Sequence, residues 1–173
     1  MQANKKLMKR KIELKEFLIT QSTGIYILKF QYKALTEFDE FMQKFKNCGD
    51  KLIKDDFNRI IKAIQKISES GALERYFRIE GKYKDNVVAI PLYMESRKNH
   101  PTLRLYCLRL SDHLLIIGNG DTKFQNYNNN PQIVQYTKDL ASLEQVIKYY
   151  KKTNKIELNH NRIVISNSIN IEI

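Results

Sequence analysis

No apolar run in the chain approaches the roughly 18 residues needed to span a bilayer, so no membrane segment is expected. The opening stretch, MQANKKLMKRKIELKEFLIT, is basic but has no clean apolar block and no small-residue cleavage site, so no secretory signal is read there. Cysteine is scarce. Cys48 and Cys107 are the only two, and neither has a CxxC neighbour, which argues against a zinc ribbon. Free thiols without an export signal suit a reducing cytoplasm. His100, His113 and His160 lack ligand spacing, so no metal and no cofactor are expected. GxSxG, HExxH, a P-loop and a glycine-rich nucleotide fingerprint are all missing, which removes the commonest signposts of hydrolases and nucleotide enzymes.

What is present is charge. Thirty Lys and Arg stand against nineteen Asp and Glu, a net charge of +11 and a pI near 9.6. A field of that size concentrates anionic partners: nucleic acid, the ribosome, an acidic protein or an anionic surface. The plainer alternative is a basic solvated surface with no dedicated ligand. Length (173 residues) and 42% hydrophobic content fit one soluble domain with a real core, with or without appended ends.

Periodicity gives the elements. Residues 1–22 are dense in lysine and arginine, with Leu7, Leu14, Phe17 and Leu18 among them. An amphipathic helix, a basic arm and a frayed extension all remain open. IYILKF (25–30) reads as a strand. Leu35, Phe38, Phe41, Met42 and Phe45 give a helical stripe over 34–47, which reads as core. A second helix covers 55–70, with Phe57, Ile60, Ile61, Ile64 and Ile67 inward, Asp55 or Asp56 as its cap, and Gly71 as its stop. VVAIPLY (87–93) is a strand that Pro91 should confine to an edge or a bulge. LRLYCLRL (103–110) and HLLII (113–117) form a hairpin across Ser111–Asp112, ended by the two glycines of GNGDTK. QNYNNNP (125–131) reads as an exposed loop. A helix at 138–152 and a small hairpin, 155–158 with 162–166, complete the chain.

Cysteine chemistry is a weak option. Cys107 and His113 could pair as nucleophile and base, but Cys107 lies in an apolar strand and reads more simply as a buried thiol. The Asp55–Asp56 pair is explained by capping. The remaining constellation is cationic: Arg75, Arg78, Lys82 and Lys84 before the central strand, Arg104 and Arg109 on the hairpin, and Lys123 after it. Tyr76, Tyr83, Tyr106 and Tyr127 are interleaved. Cations neutralise phosphates and aromatics stack on bases, a mixture suited to single-stranded RNA. Any one of these residues also reads as solvated rim, and Tyr106 as core. RNA cleavage needs no external nucleophile, because the ribose 2′-hydroxyl attacks the neighbouring phosphate. The protein must align the strand, stabilise charge and move two protons, and arginine's planar fork suits the phosphate.

The order strand, helix hairpin, then antiparallel strands resembles the RelE/ParE superfamily of bacterial toxin–antitoxin toxins over about residues 25–125. Leu103–Arg104–Leu105–Tyr106 is similar to its central "YR-apolar-apolar-Y" strand, and His113 to Gly118 followed by Lys123 to its last strand. The resemblance implies an α+β fold: an N-terminal strand, an α-helical hairpin and an antiparallel sheet, with an added C-terminal helix and β-hairpin. It divides the chain into a basic extension (1–22), a core (23–127) and a C-terminal extension packed on the core (128–173). It implies catalytic roles for Arg104, Lys123 and Tyr127, and RNA contacts from Arg75, Arg78, Lys82, Lys84 and Arg109. Implied partners are an antitoxin protein and RNA or the ribosome, with a homodimer compatible. The expected activity is an mRNA-cleaving endoribonuclease, ribosome-dependent or not. The chain departs from the family in having no lysine within VVAIPLY and a single lysine after GNGDT. The rival expectation is therefore a non-catalytic basic binder, either a gyrase-directed ParE-like toxin or a nucleic-acid-binding domain without toxicity.

Overall fold

The computed structural model describes residues 9–80, 86–91, 97, 99–124, 130–167 and 169–173. Strand β1 (Lys11–Ile19) runs antiparallel to β2 (Gly24–Phe30), and helices α1 (Glu37–Phe45) and α2 (Lys51–Ser70) follow. Next come a short 3-10 turn (Glu74–Tyr76) and strands β3 (Arg78–Ile79), β4 (Val87–Ile90), β5 (Thr102–Ser111) and β6 (Leu114–Lys123). Helix α3 (Pro131–Lys152) precedes the hairpin β7 (Ile156–Asn159) and β8 (Arg162–Ile165), and β9 (Ile171–Glu172) closes the chain. The fold is α+β, with a seven-stranded sheet in the order β3-β4-β5-β6-β2-β1-β9. Every pairing in it is antiparallel except that of β2 with β6, where Gly24 to Ile27 align with Leu114 to Ile117.

Alternation along the central strands explains the layers. Leu103, Leu105, Cys107, Leu115 and Ile117 pack under α1 and α2. Tyr106, Leu108, Leu114 and Ile116 point the other way, under α3. Thr36 caps α1 in a capping box with Asp39, and Phe41 of its inward stripe stacks on Phe57 of α2 at 5.9 Å.

Several expectations are corrected. Residues 11–19 form neither helix nor arm: Ile12 is buried beneath α3, while Glu13 and Lys15 alternate with it toward solvent, so a half-buried strand hides in a basic run. The cap of α2 is Asp50, which accepts from the N–H groups of Leu52 (2.9 Å) and Ile53 (3.2 Å). Asp56 is instead fully buried, accepts from both Nη atoms of Arg97 (2.8 and 2.9 Å) and from the N–H of Leu103 (3.1 Å), and so ties α2 to β5. Strand β4 is paired on both sides and stops at Ile90, before Pro91. Helix α3 begins well before 138, at Pro131, because Asn130 caps it. Of the expected loop over 125–131, residues 125–129 lie outside the described residues, as do Leu7 and Tyr83, while Asn130 and Pro131 belong to the start of α3.

GNGDTK does not end β6. The strand runs to Lys123, with one extra residue where Leu105 faces Gly120 but Cys107 faces Ile117. Glycine is needed there for close approach: a Cβ on Gly120 would stand 2.2 Å from the carbonyl oxygen of Arg104 and 2.8 Å from the Phe41 ring. Gly120→Ala is expected to lower stability by about 2 kcal/mol, seen as a lower urea midpoint at unchanged slope.

Candidate functional site

The extension of β5 and β6 past the glycines sets Arg104 opposite Asp121 and Thr102 opposite Lys123. Arg104 and Tyr106 share the α3-facing side of β5 by alternation. The chain after β3 brings Glu80 to the same place. Arg104 Nη1 donates to Glu80 Oε1 at 3.0 Å, and Lys123 Nζ lies 3.6 Å from Glu80 Oε2. Asp121 Oδ1 accepts from Lys44 Nζ (3.0 Å) and from the N–H of Thr122 (2.8 Å). Two of the three predicted catalytic residues thus meet on one carboxylate.

The cluster is enclosed. Arg104 is 5% exposed and Tyr106 is fully buried. Arg104 Nε and the Tyr106 hydroxyl have no hydrogen-bond partner among the described residues. Burial pushes the Tyr106 hydroxyl far above its ordinary pKa, and Glu80 adds to this, so it stays protonated and can donate. Tyr136 on α3 is pushed up to about 12, by burial first and then by Asp121 and Glu37. A neighbouring network joins Asn119 Nδ2 to Glu37 (3.0 Å) and Glu40 (3.2 Å), both of which also hold Lys33.

The other predicted residues divide. Lys82, Lys84 and Tyr127 lie outside the described residues. Arg75 and Arg109 line a separate hollow of about 430 Å³ with Glu74, Phe77, Ile79, Asn86 and Val88. Arg109 is fully engaged there: Nε donates to the Ala72 carbonyl (2.6 Å), and the guanidinium pairs with Asp112 and more loosely with Glu74 (3.8 Å). Arg78 sits exposed on β3. Cys107 faces the α1–α2 layer, and burial alone raises its thiol pKa. His113 is turned to the carbonyl of Ser22 (2.8 Å) and the ring of His160 (centroids 4.0 Å apart), so Cys107 and His113 form no nucleophile–base pair.

Glu80 and Asp121 were not among the predicted residues. Asp121 had a partial signal: continuing the hairpin register through the glycines brings Gly120 across from Arg104, and the extra residue in β6 puts Asp121 there instead. Glu80, in the stretch RIEGK, had none. No protein-family model matches the chain, and no curated protein and no solved structure matches it either.

An unpartnered buried hydroxyl costs stability in the folded state. Tyr106→Phe is therefore expected to raise the unfolding free energy by about 1 kcal/mol. A loss of stability in thermal or urea denaturation would mean that the hydroxyl is bonded in the folded protein.

Proposed function

We propose that the chain is a toxin-like endoribonuclease of RelE/ParE type that cleaves messenger RNA and is neutralised by an antitoxin. The observation that carries this reading is the convergence of Arg104 and Lys123 on Glu80. The run from β2 through α1 and α2 to β4, β5 and β6 also has the order strand, helix hairpin, antiparallel strands. A phosphodiester entering the cluster exchanges with Glu80 for the two cations. The guanidinium of Arg104 then holds the non-bridging oxygens, with Nε a spare donor, and the Tyr106 hydroxyl donates to the developing charge. The freed Glu80 carboxylate takes the 2′-hydroxyl proton as that oxygen bonds to phosphorus. The bond to the 5′-oxygen breaks, and Lys123 protonates the leaving oxygen. The products are a 2′,3′-cyclic phosphate and a 5′-hydroxyl.

A second reading is a basic protein that binds without cutting, as a gyrase-directed toxin or a nucleic-acid-binding domain. The enclosure of Arg104 and its neutralisation by Glu80 favour it.

Induced expression in a bacterial host separates the two. Wild type should arrest growth and fragment an abundant message. Arg104→Ala and Glu80→Gln, each checked for native circular dichroism, should lower cleavage by at least about 100-fold. Arg104→Lys should keep the charge but lose the fork, and so stay impaired. Cleavage by Arg104→Ala at the wild-type rate sinks the ribonuclease reading. Growth arrest with the message intact hands the function to the binding reading.

A further inference from the structure

Many of the chain's cations are already matched by a carboxylate. Arg104 and Lys123 share Glu80, Arg109 has Asp112, Arg97 has Asp56, Lys44 has Asp121, and Arg10 has Asp139. Such pairs project little field outward. The net charge of +11 must be expressed elsewhere.

One surface concentrates it. Arg59, Lys62 and Lys66 recur at three- and four-residue steps along the solvent face of α2, opposite buried Ile60, Ile64 and Ile67. With Arg75, Tyr76 and Pro91 they line an open groove of about 350 Å³ between α2 and the turn that follows it. Among the described residues, none of these four cations has a carboxylate within 4.0 Å. Asp55 lies one turn before Arg59, and Glu69, near the end of the stripe, is bonded to Gln65. Tyr76 stands in the groove with the Arg75 guanidinium 5.3 Å over its ring and its hydroxyl 2.8 Å from Ser70 Oγ. That hydroxyl is held below its ordinary pKa by Ser70 first, then by Arg75, with a contribution from Lys66.

We propose that this groove is a docking site for single-stranded nucleic acid, with Arg59, Lys62 and Lys66 on successive phosphates and the Arg75–Tyr76 pair as the platform on which a base stacks. Unneutralised cations in a row beside an aromatic plane are what sequence-tolerant single-strand binding requires. A flat anionic membrane would need no groove and no stacking partner. Arg75 also borders the 430 Å³ hollow beside Arg109, so a strand leaving α2 has a continuous path at that end. The site is separate from the Arg104 cluster. Helix α2 covers the face of β5 that carries Leu103 and Leu105, and Arg104 is on the other face. Only the choice of RNA over DNA rests on the ribonuclease reading.

The test measures binding without cleavage. A labelled 2′-O-methyl oligouridine, which has no free 2′-hydroxyl to attack, is titrated with the whole chain at several salt concentrations and read by fluorescence anisotropy. Wild type should bind with affinity falling steeply with salt. The triple variant Arg59→Gln, Lys62→Gln, Lys66→Gln should bind at least about 10-fold more weakly at low salt. It should also flatten the log–log salt slope by about 2, near 0.7 for each phosphate no longer neutralised. The double variant Lys151→Gln, Lys152→Gln on α3, outside both sites, should bind as wild type, and because the oligonucleotide cannot be cleaved the outcome does not depend on the ribonuclease reading. All three substitutions are on the solvent face of α2, and a native circular dichroism spectrum confirms the fold. Unchanged binding by the triple variant overturns the proposal. So does loss of binding in Lys151→Gln, Lys152→Gln on α3 instead, or binding to phosphatidylserine vesicles with none to the oligonucleotide.

Discussion

Strands β2, β5 and β6 are buried on both faces, and the rest of the architecture answers to that constraint. A strand enclosed on both sides needs a helical layer over each, because an apolar face left to water would forfeit roughly 25 cal/mol for every Å² exposed. Helices α1 and α2 close one side through Phe38, Phe41, Phe57 and Ile60, and α3 closes the other through Leu140, Leu143 and Ile147. Helix α3 is therefore a wall of the core. The hairpin β7–β8 and strand β9 follow it onto that side, with Ile156, Ile163 and Ile171 joining the same cluster.

The same burial governs the chemistry. Arg104 projects from an enclosed strand, so its charge had to be matched locally, and Glu80 does so. Enclosure strengthens every interaction among Arg104, Glu80, Lys123 and Asp121, and it leaves the Tyr106 hydroxyl and Arg104 Nε as donors without acceptors among the described residues. On α2 the logic reverses. Arg59, Lys62 and Lys66 are solvated, each costs little to leave without a carboxylate, and together they set the sign of that face. One excess of positive charge thus takes two forms: paired with carboxylates around the sheet, and without a carboxylate among the described residues on a helix face.

Elements with a strong period were legible. The stripes of α1 and α2, the apolar run of β2, the β5–β6 hairpin and the small hairpin after α3 all emerged from spacing alone, although the β5–β6 turn falls at Asp112–His113, one residue beyond the expected Ser111–Asp112. Where reading failed, two signals competed. In β1, lysines and glutamates at alternate positions disguised the inward residues Ile12 and Leu14. In β6, the glycines at 118 and 120 read as a break, yet they serve close packing against Leu140 and Phe41 within a continuous strand. Asp56 read as a cap because it is an aspartate near a helix start, and only the fold could give it Arg97 as a partner. The candidate site was half legible: Arg104 and Lys123 followed from the motif they resemble, whereas Glu80 directly follows β3 in a stretch whose sequence gives no sign of its destination.

The parallel pairing of β2 with β6 sets the order in which the molecule can be made. Each hairpin and the α1–α2 pair can form from neighbouring residues as soon as they are synthesised. The centre of the sheet cannot, because residues 24–27 must wait for 114–117. For about ninety residues of synthesis this apolar strand has β1 on one edge and nothing on the other, and the loop closure that finally brings β6 to it is slow and entropically costly. The α1–α2 hairpin, laid down in that interval, is what can shield β2 until β6 arrives.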